Sequence, residues 1–229
     1  MNNYMDTAGN YSGIGTNKLL GKSFIWMFIG MIISGGAAWF TYSSGLWMRV
    51  FTSGMFTGLL LTELAAVVIF SFLFRRLPAF MVTFLYLLYA LINGVTLSCI
   101  FVVYELGSIV MLFGVAALAF GALGIIGYNS KKDMTGWGVY LFVFLIAAII
   151  IEALNIFFFK SDFTQLLINA GVLTLFFAIT IYDVNKLKNT QNYGYYDVSK
   201  AHIYFAMQLY LDFINIFLRL LALFGKQKS

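Results

Sequence analysis

Four acidic side chains occupy positions where an acid is costly. Asp212 falls in Leu-Tyr-Leu-Asp-Phe-Ile-Asn, near the centre of an apolar run over residues 201–224, and Glu63 and Glu152 lie inside comparable runs. Asp183 closes another at Ile-Tyr-Asp. A charge at the middle of a membrane helix costs about 2.5–3.5 kcal/mol on insertion scales, so such acids default to functional positions. Carboxylates in that setting take up a proton, share one with a neighbour, or offer oxygen to a hard cation.

Asp212 has company on its helix. Tyr204, Gln208, Asp212, Asn215 and Arg219 recur at spacings of four, four, three and four, which puts them on one helical face. In lipid that face must turn toward the protein interior or a wet cavity. Asp212 and Arg219 are a heptad apart, too far to pair without a water or a third residue. A structural network, with Asp212 tied to Arg219 in that way or to a neighbouring helix, is the competing reading. Glu63, close to the midpoint of its run, is at about the depth of Asp212.

The elements that must hold these residues follow from composition. Of the 229 residues 62% are hydrophobic and 10% charged, with a mean hydropathy of +0.90, against roughly 25% charged residues in soluble domains. Apolar runs cover residues 23–43, 54–74, 79–103, 107–128, 137–159, 163–182 and 201–224. Each spans a hydrocarbon core of about 30 Å as a helix. Continuous runs exclude a membrane barrel, whose strands alternate. The expected fold is an all-α membrane protein of seven transmembrane helices forming one domain over 18–229, preceded by a disordered lead at 1–17. The first run is too long and too late for a cleaved signal peptide.

Assigning loops to alternate sides places Lys18, Lys22, Arg75, Arg76, Lys131, Lys132, Lys186, Lys188 and Lys200 on the face of the N-terminus. Arg49, Lys160, Lys226 and Lys228 fall on the other, with Arg219 near it. That bias predicts a cytoplasmic N-terminus and an outside C-terminus. The formal charge of +5 is thus topology signal and contact with the lipid bilayer, and nucleic acid is excluded as a partner.

Other features read as structural. Gly114, Ala117, Gly121 and Gly124 share a helical face and predict a close-packing seam. The tryptophans Trp26, Trp39, Trp47 and Trp137 mark span ends. Cys99 is a lone packed thiol, and His202, the single histidine, has no metal-spaced partner. Neither a nucleophile elbow nor a phosphate loop occurs, so no enzymatic reaction and no cofactor are expected.

If the sixth and seventh spans form an antiparallel hairpin, Asp183 and Asp212 are level when its apex is near 197 or 198. The loop's centre is closer to 194. Asp183 then lies toward the cytoplasm of Asp212 unless the sixth helix runs on into Lys188.

The segments Ala-Ile-Thr-Ile-Tyr-Asp-Val-Asn-Lys-Leu-Lys-Asn, Leu-Tyr-Leu-Asp-Phe-Ile-Asn-Ile-Phe-Leu and Gly-Tyr-Asn-Ser-Lys-Lys-Asp-Met-Thr-Gly resemble the bacterial branch of the transmembrane Bax inhibitor motif (Bax inhibitor-1) family, over roughly residues 17–224. The resemblance implies a seven-helix fold with the last helix central, in the bacterial inner (plasma) membrane, and a pH-sensitive, calcium-permeable leak. Carried onto this chain, it implies a gating pair at Asp183 and Asp212. It also implies an arginine lock at Arg75 or Arg76, with Arg75 preferred, and a pore acid at Glu63. Glu152 departs from the family pattern.

Physical chemistry agrees with that assignment. Two carboxylates in contact at low dielectric share one proton and titrate as a unit, a proton-operated latch. Calcium takes six to eight oxygens; Asp183 and Asp212, with Asn215, backbone carbonyls and water, supply a transient site suited to conduction. Gln208, Asn215 and Arg219 complete the expected polar network with Glu63. Calcium is then the permeant ion, and a monomer is expected. Two other readings use the same acids: an interaction protein regulating a membrane protease or another membrane protein partner, and a proton-coupled cation exchanger.

Overall fold

The computed structural model describes residues 5–52, 55–74, 76–190 and 198–228, with backbone alone at 5–17, 156, 159, 198 and 199. Among the described residues 7 helices are long and apolar enough to cross a membrane. They contain no strand beyond one antiparallel bridge between Tyr104 and Gln227. The expected all-α, seven-span class holds.

The helices are α1 (Met5–Ser43), the short α2 (Leu46–Thr52), α3 (Met55–Leu73), α4 (Ala79–Leu97), α5 (Cys99–Val103), α6 (Leu106–Asn129), α7 (Gly138–Leu154), α8 (Asp162–Asn189) and α9 (Val198–Phe224). Helix α1 reaches back into the segment read as a lead-in, and residues 1–4 lie outside the described residues. Pro78, which has no N–H to lose, stands at the N-cap of α4. One apolar span is built of α4 and α5 together, with a local break where Ser98 Oγ donates to Val95 O at 2.7 Å. The fifth run is shorter as α-helix than expected. It ends at Leu154 in a π turn, Asn155–Phe159, followed by Lys160 at φ 47°.

The chain divides into two compact units. The first comprises Met1–Tyr104, Thr190–Tyr210 and Gln227–Ser229. Its main helix pair is α1 with α4. Gly94 makes that crossing close: a Cβ there would stand 2.5 Å from Ser34 O and 2.7 Å from Ala37 Cβ. Polar groups tie the same pair, Ser34 Oγ donating to Ala90 O at 2.7 Å and the Tyr86 hydroxyl to Trp26 O at 2.8 Å. In a bilayer such contacts hold helices together because lipid tails compete equally for apolar surface.

The second unit comprises Glu105–Asn189 and Leu211–Lys226. Here α8 packs against α6 and α7. At Gly127 a Cβ would meet Ile181 O at 2.6 Å and Val184 Cβ at 3.1 Å, and Gly138 lies against the Tyr182 hydroxyl. Phe213 packs edge-on against Phe113 and Phe120, and Phe217 against Phe113. The seam expected at Gly114, Ala117, Gly121 and Gly124 is corrected by the structure. Gly114, Ala117 and Gly121 are exposed, while the buried stripe of α6 is Ala116, Phe120, Gly124 and Gly127. Every position on this helix before Asn129 is apolar or small, so hydropathy carries no phase, and the phase is set by where α8 needs a missing side chain.

Burial is uneven among the spans: 56% of the most apolar window of the last span is buried but only 6% of that of the fifth. Gly94→Ala should lower stability by about 1–3 kcal/mol, because a backbone oxygen and a methyl stand where the new Cβ must go. Gly114→Ala meets open space and should stay within about 0.5 kcal/mol. Thermal unfolding of the two variants in detergent checks both.

Candidate functional site

The site begins at the C-terminal end of α8. This helix continues through Lys188 to Asn189, which is the condition under which Asp183 and Asp212 can meet. They do: the two carboxyl groups are side-chain hydrogen-bond partners, and the Thr180 hydroxyl is a further partner of Asp212. Thr180 and Asp183 are three residues apart and so share a face of α8. Asp183 is 4% and Asp212 3% exposed. A hydrogen bond between two carboxyl groups requires a proton on one of them. Asp183 Oδ1 and Asp212 Oδ2 are buried without a hydrogen-bond partner among the described residues. Lys186, one turn on from Asp183, is within electrostatic reach of it.

The next residues of α8 fix its surroundings. Asn185, fully buried, accepts from Met134 N–H at 2.9 Å and donates to Lys132 O at 3.1 Å and Gly127 O at 3.4 Å. Lys188 Nζ donates to Tyr128 O at 2.7 Å and Ser130 O at 3.2 Å, completing carbonyls at the end of α6. The loop of residues 128–134 is therefore held by two α8 side chains. Sequence reading missed Asn185. The available signal was an amide two residues beyond a buried acid, opposite a loop with backbone groups to satisfy.

The polar face of α9 does not act as one network. Asn215 Nδ2 donates to Leu211 O of its own helix at 2.8 Å, and Gln208 Oε1 is buried without a hydrogen-bond partner. Arg219 forms a bidentate ion pair with Glu152, Nη1 to Oε1 at 3.0 Å and Nη2 to Oε2 at 2.9 Å, and also donates to Asn169 Oδ1 at 2.7 Å. Glu152, which the sequence left without a role, is thus the counter-charge for Arg219. The fork geometry of a guanidinium fits a carboxylate, which is why this pair forms across helices while Asp212 remains with Asp183.

Glu63 belongs to the first unit and to a different cluster. It accepts from Thr96 Oγ1 at 2.5 Å and Asn93 Nδ2 at 2.9 Å, and Asn93 Oδ1 accepts from the Tyr210 hydroxyl at 2.7 Å. Ser34 Oγ lies 2.6 Å from that hydroxyl. Of the two arginines expected to form a lock, Arg76 is exposed and Arg75 lies outside the described residues. Among the described residues no group of three or more acid, histidine or cysteine side chains is gathered for a metal.

Fold and site together define a class: a polytopic α-helical integral membrane protein with a buried, hydrogen-bonded carboxyl pair on its last two spans. Residues 16–229 match the family described as inhibitor of apoptosis-promoting Bax1. The chain belongs to this Bax inhibitor-1 family. It is 36% identical over 220 residues to the inner membrane protein YbhL of Escherichia coli K12, covering 93% of this chain and 94% of that protein. An uncharacterized protein of Borreliella burgdorferi is 34% identical over 218 residues, with the same two coverages. An uncharacterized membrane protein of Streptococcus pyogenes, SpyM3_0260, is 32% identical over 143 residues, or 62% of each chain.

Replacing Asn185 with Ala leaves the Met134 N–H and two carbonyls without this partner, a loss of about 1–3 kcal/mol for the buried groups. The expected result is faster trypsin cleavage after Lys131 and Lys132 than in the parent protein, read by gel or mass spectrometry.

Proposed function

We propose that this protein is a pH-sensitive, calcium-permeable leak of the bacterial inner membrane in which Asp183 and Asp212 form the gate. The observation that carries the reading is the contact itself: two buried carboxyl groups on neighbouring spans that are side-chain hydrogen-bond partners. With a proton on one carboxyl the pair holds α8 to α9 by a charge-assisted hydrogen bond. Without it two like charges face each other at low dielectric and the contact is repulsive. The remaining oxygen of each carboxyl, without a partner among the described residues, is what a passing hard cation would meet. Two acids with water and carbonyls bind calcium weakly, and weak binding is what passage needs. The inner membrane assignment follows YbhL by name.

The proposal includes the orientation with the N-terminus in the cytoplasm, supported by the lysines of the 128–134 loop and of the end of α8. In a Cys99→Ser background, Lys132→Cys should react with a membrane-impermeant thiol reagent only from the cytoplasmic side and Lys160→Cys only from the other. The reverse pattern would overturn the orientation.

The gate is tested by calcium flux into liposomes containing the purified protein alone. Flux that varies with pH in the parent protein should lose that dependence in both Asp183→Asn and Asp212→Asn, since an amide cannot share or release the proton. An unchanged pH profile in the two variants would sink the proposal. Absence of flux from the purified protein favours a regulator of another membrane protein, and proton movement coupled to calcium entry favours an exchanger.

A further inference from the structure

A groove of about 760 Å³ runs between α7 and α8 on apolar, unburied surface of the two spans, a size in the range of ligand sites. Small side chains open it: Ala147 and Ala148 on α7, Gly171 and Ala178 on α8. Phe144 and Ile151 form its walls and Trp137 stands at one end, about 21 Å from Ile151 at the helical rise. The Thr174 hydroxyl in its lining donates to Ala170 O of the same helix at 2.9 Å, so the length of the groove is suited to hydrocarbon. Its Trp137 end is basic. Gly171, Thr174, Ala178, Tyr182 and Lys186 recur at three and four residues and share one face of α8, so the stripe that lines the groove runs on to an ammonium. Tyr182 joins that ammonium to the groove: its hydroxyl lies against Gly138, next to Trp137, and Lys186 Nζ is 5.5 Å from its ring centroid. Asn185, beside Lys186, holds Lys132 O at 3.1 Å and Met134 N–H at 2.9 Å, which fixes the exposed Lys131 and Lys132 to the same end. The acid among them, Asp133, accepts from Thr135 N–H at 2.9 Å and from the Thr135 hydroxyl at 2.5 Å; three lysines against it leave an excess of positive charge.

We infer that this groove and the lysines at its end bind one anionic phospholipid, with an acyl chain between α7 and α8 and the phosphate against Lys131, Lys132 and Lys186. The two halves need each other. Lipid tails gain little from one apolar helix surface over another, so retention of a particular lipid requires its headgroup. Charge alone gathers anionic headgroups diffusely, so selection of one molecule requires a basic cluster at the mouth of a cleft between spans. Each ammonium presents donors to phosphate oxygens, and Trp137, 58% exposed, has the amphipathic ring that sits at headgroup level. The site lies within the second compact unit, and neither Asp183 nor Asp212 lines it, so it stands or falls independently of the leak.

The test is native mass spectrometry of the detergent-purified protein with added phosphatidylglycerol or phosphatidylcholine of identical chains. The parent should retain one phosphatidylglycerol per chain, and its unfolding temperature should rise with that lipid more than with phosphatidylcholine. A lysine near an anionic headgroup is worth about fivefold, so the parent's preference should be on the order of tenfold and Lys131→Gln/Lys132→Gln should lose most of it. Lys186 is left in place because it also neighbours Asp183. Ala147→Leu/Gly171→Leu keeps every charge and fills the groove. A Cβ at 171 meets nothing within 4 Å and Ala147 is exposed, so this variant should fold and yet lose the retained lipid; Gly171→Leu alone serves should the double variant fail to fold. Phosphatidylglycerol with a photoreactive acyl chain should label the parent within residues 137–151 or 171–178. Equal retention of the two lipids by the parent, unchanged retention by the filled groove, or labelling confined to other spans each overturns the inference. A parent dimer that the filled groove abolishes, with lipid retention unchanged, assigns the groove to a second copy of the chain and overturns it as well.

Discussion

Hydrocarbon offers no hydrogen bond, and this constraint organises the protein. Each polar atom within a span must find a partner among the few other polar atoms at its depth, or carry the cost of having none. The carboxyl of Asp212 meets this demand with a second carboxyl and with the Thr180 hydroxyl. Arg219 meets it with Glu152 and Asn169, and Glu63 with Asn93 and Thr96. Charge, apolar surface and helix geometry are common to all three solutions, yet the chemistry differs. One is a pair of carboxyl groups, one an ion pair and one a neutral donor set around an acid.

The close helix crossings follow from the same constraint. Lipid and leucine are equally apolar, so helices gain little from merely hiding aliphatic side chains. They gain by close backbone approach at Gly94 and Gly127 and by the hydroxyl and amide contacts beside those glycines. Where no such contact is needed the surface is left to lipid, as along most of α7.

The number of spans, their approximate limits and the enclosed positions of Asp212 and Asp183 were legible because polarity in a greasy chain is conspicuous. Partners were not. In α6 a small residue at nearly every third or fourth position fits more than one face, and the stripe through Gly114 was the wrong one, because only α8 selects Gly127. The end of α8 was hidden for the opposite reason: after Tyr182 the sequence Asp-Val-Asn-Lys-Leu-Lys-Asn has the composition of a loop. It remains helical since Asp183, Asn185 and Lys188 each find a partner there. Glu152 had no neighbour in sequence to announce Arg219, and the ion pair emerges only when three helices are assembled.

Asn185 ties the buried carboxyl pair to the loop that follows α6. It is two residues from Asp183 on a continuous helix, and its amide grips the backbone of the basic loop at Lys132 and Met134. Any rotation or sliding of this end of α8 would have to carry that loop or break those hydrogen bonds. A buried carboxyl pair and a basic loop are thereby carried by one continuous helix end, two residues apart in sequence.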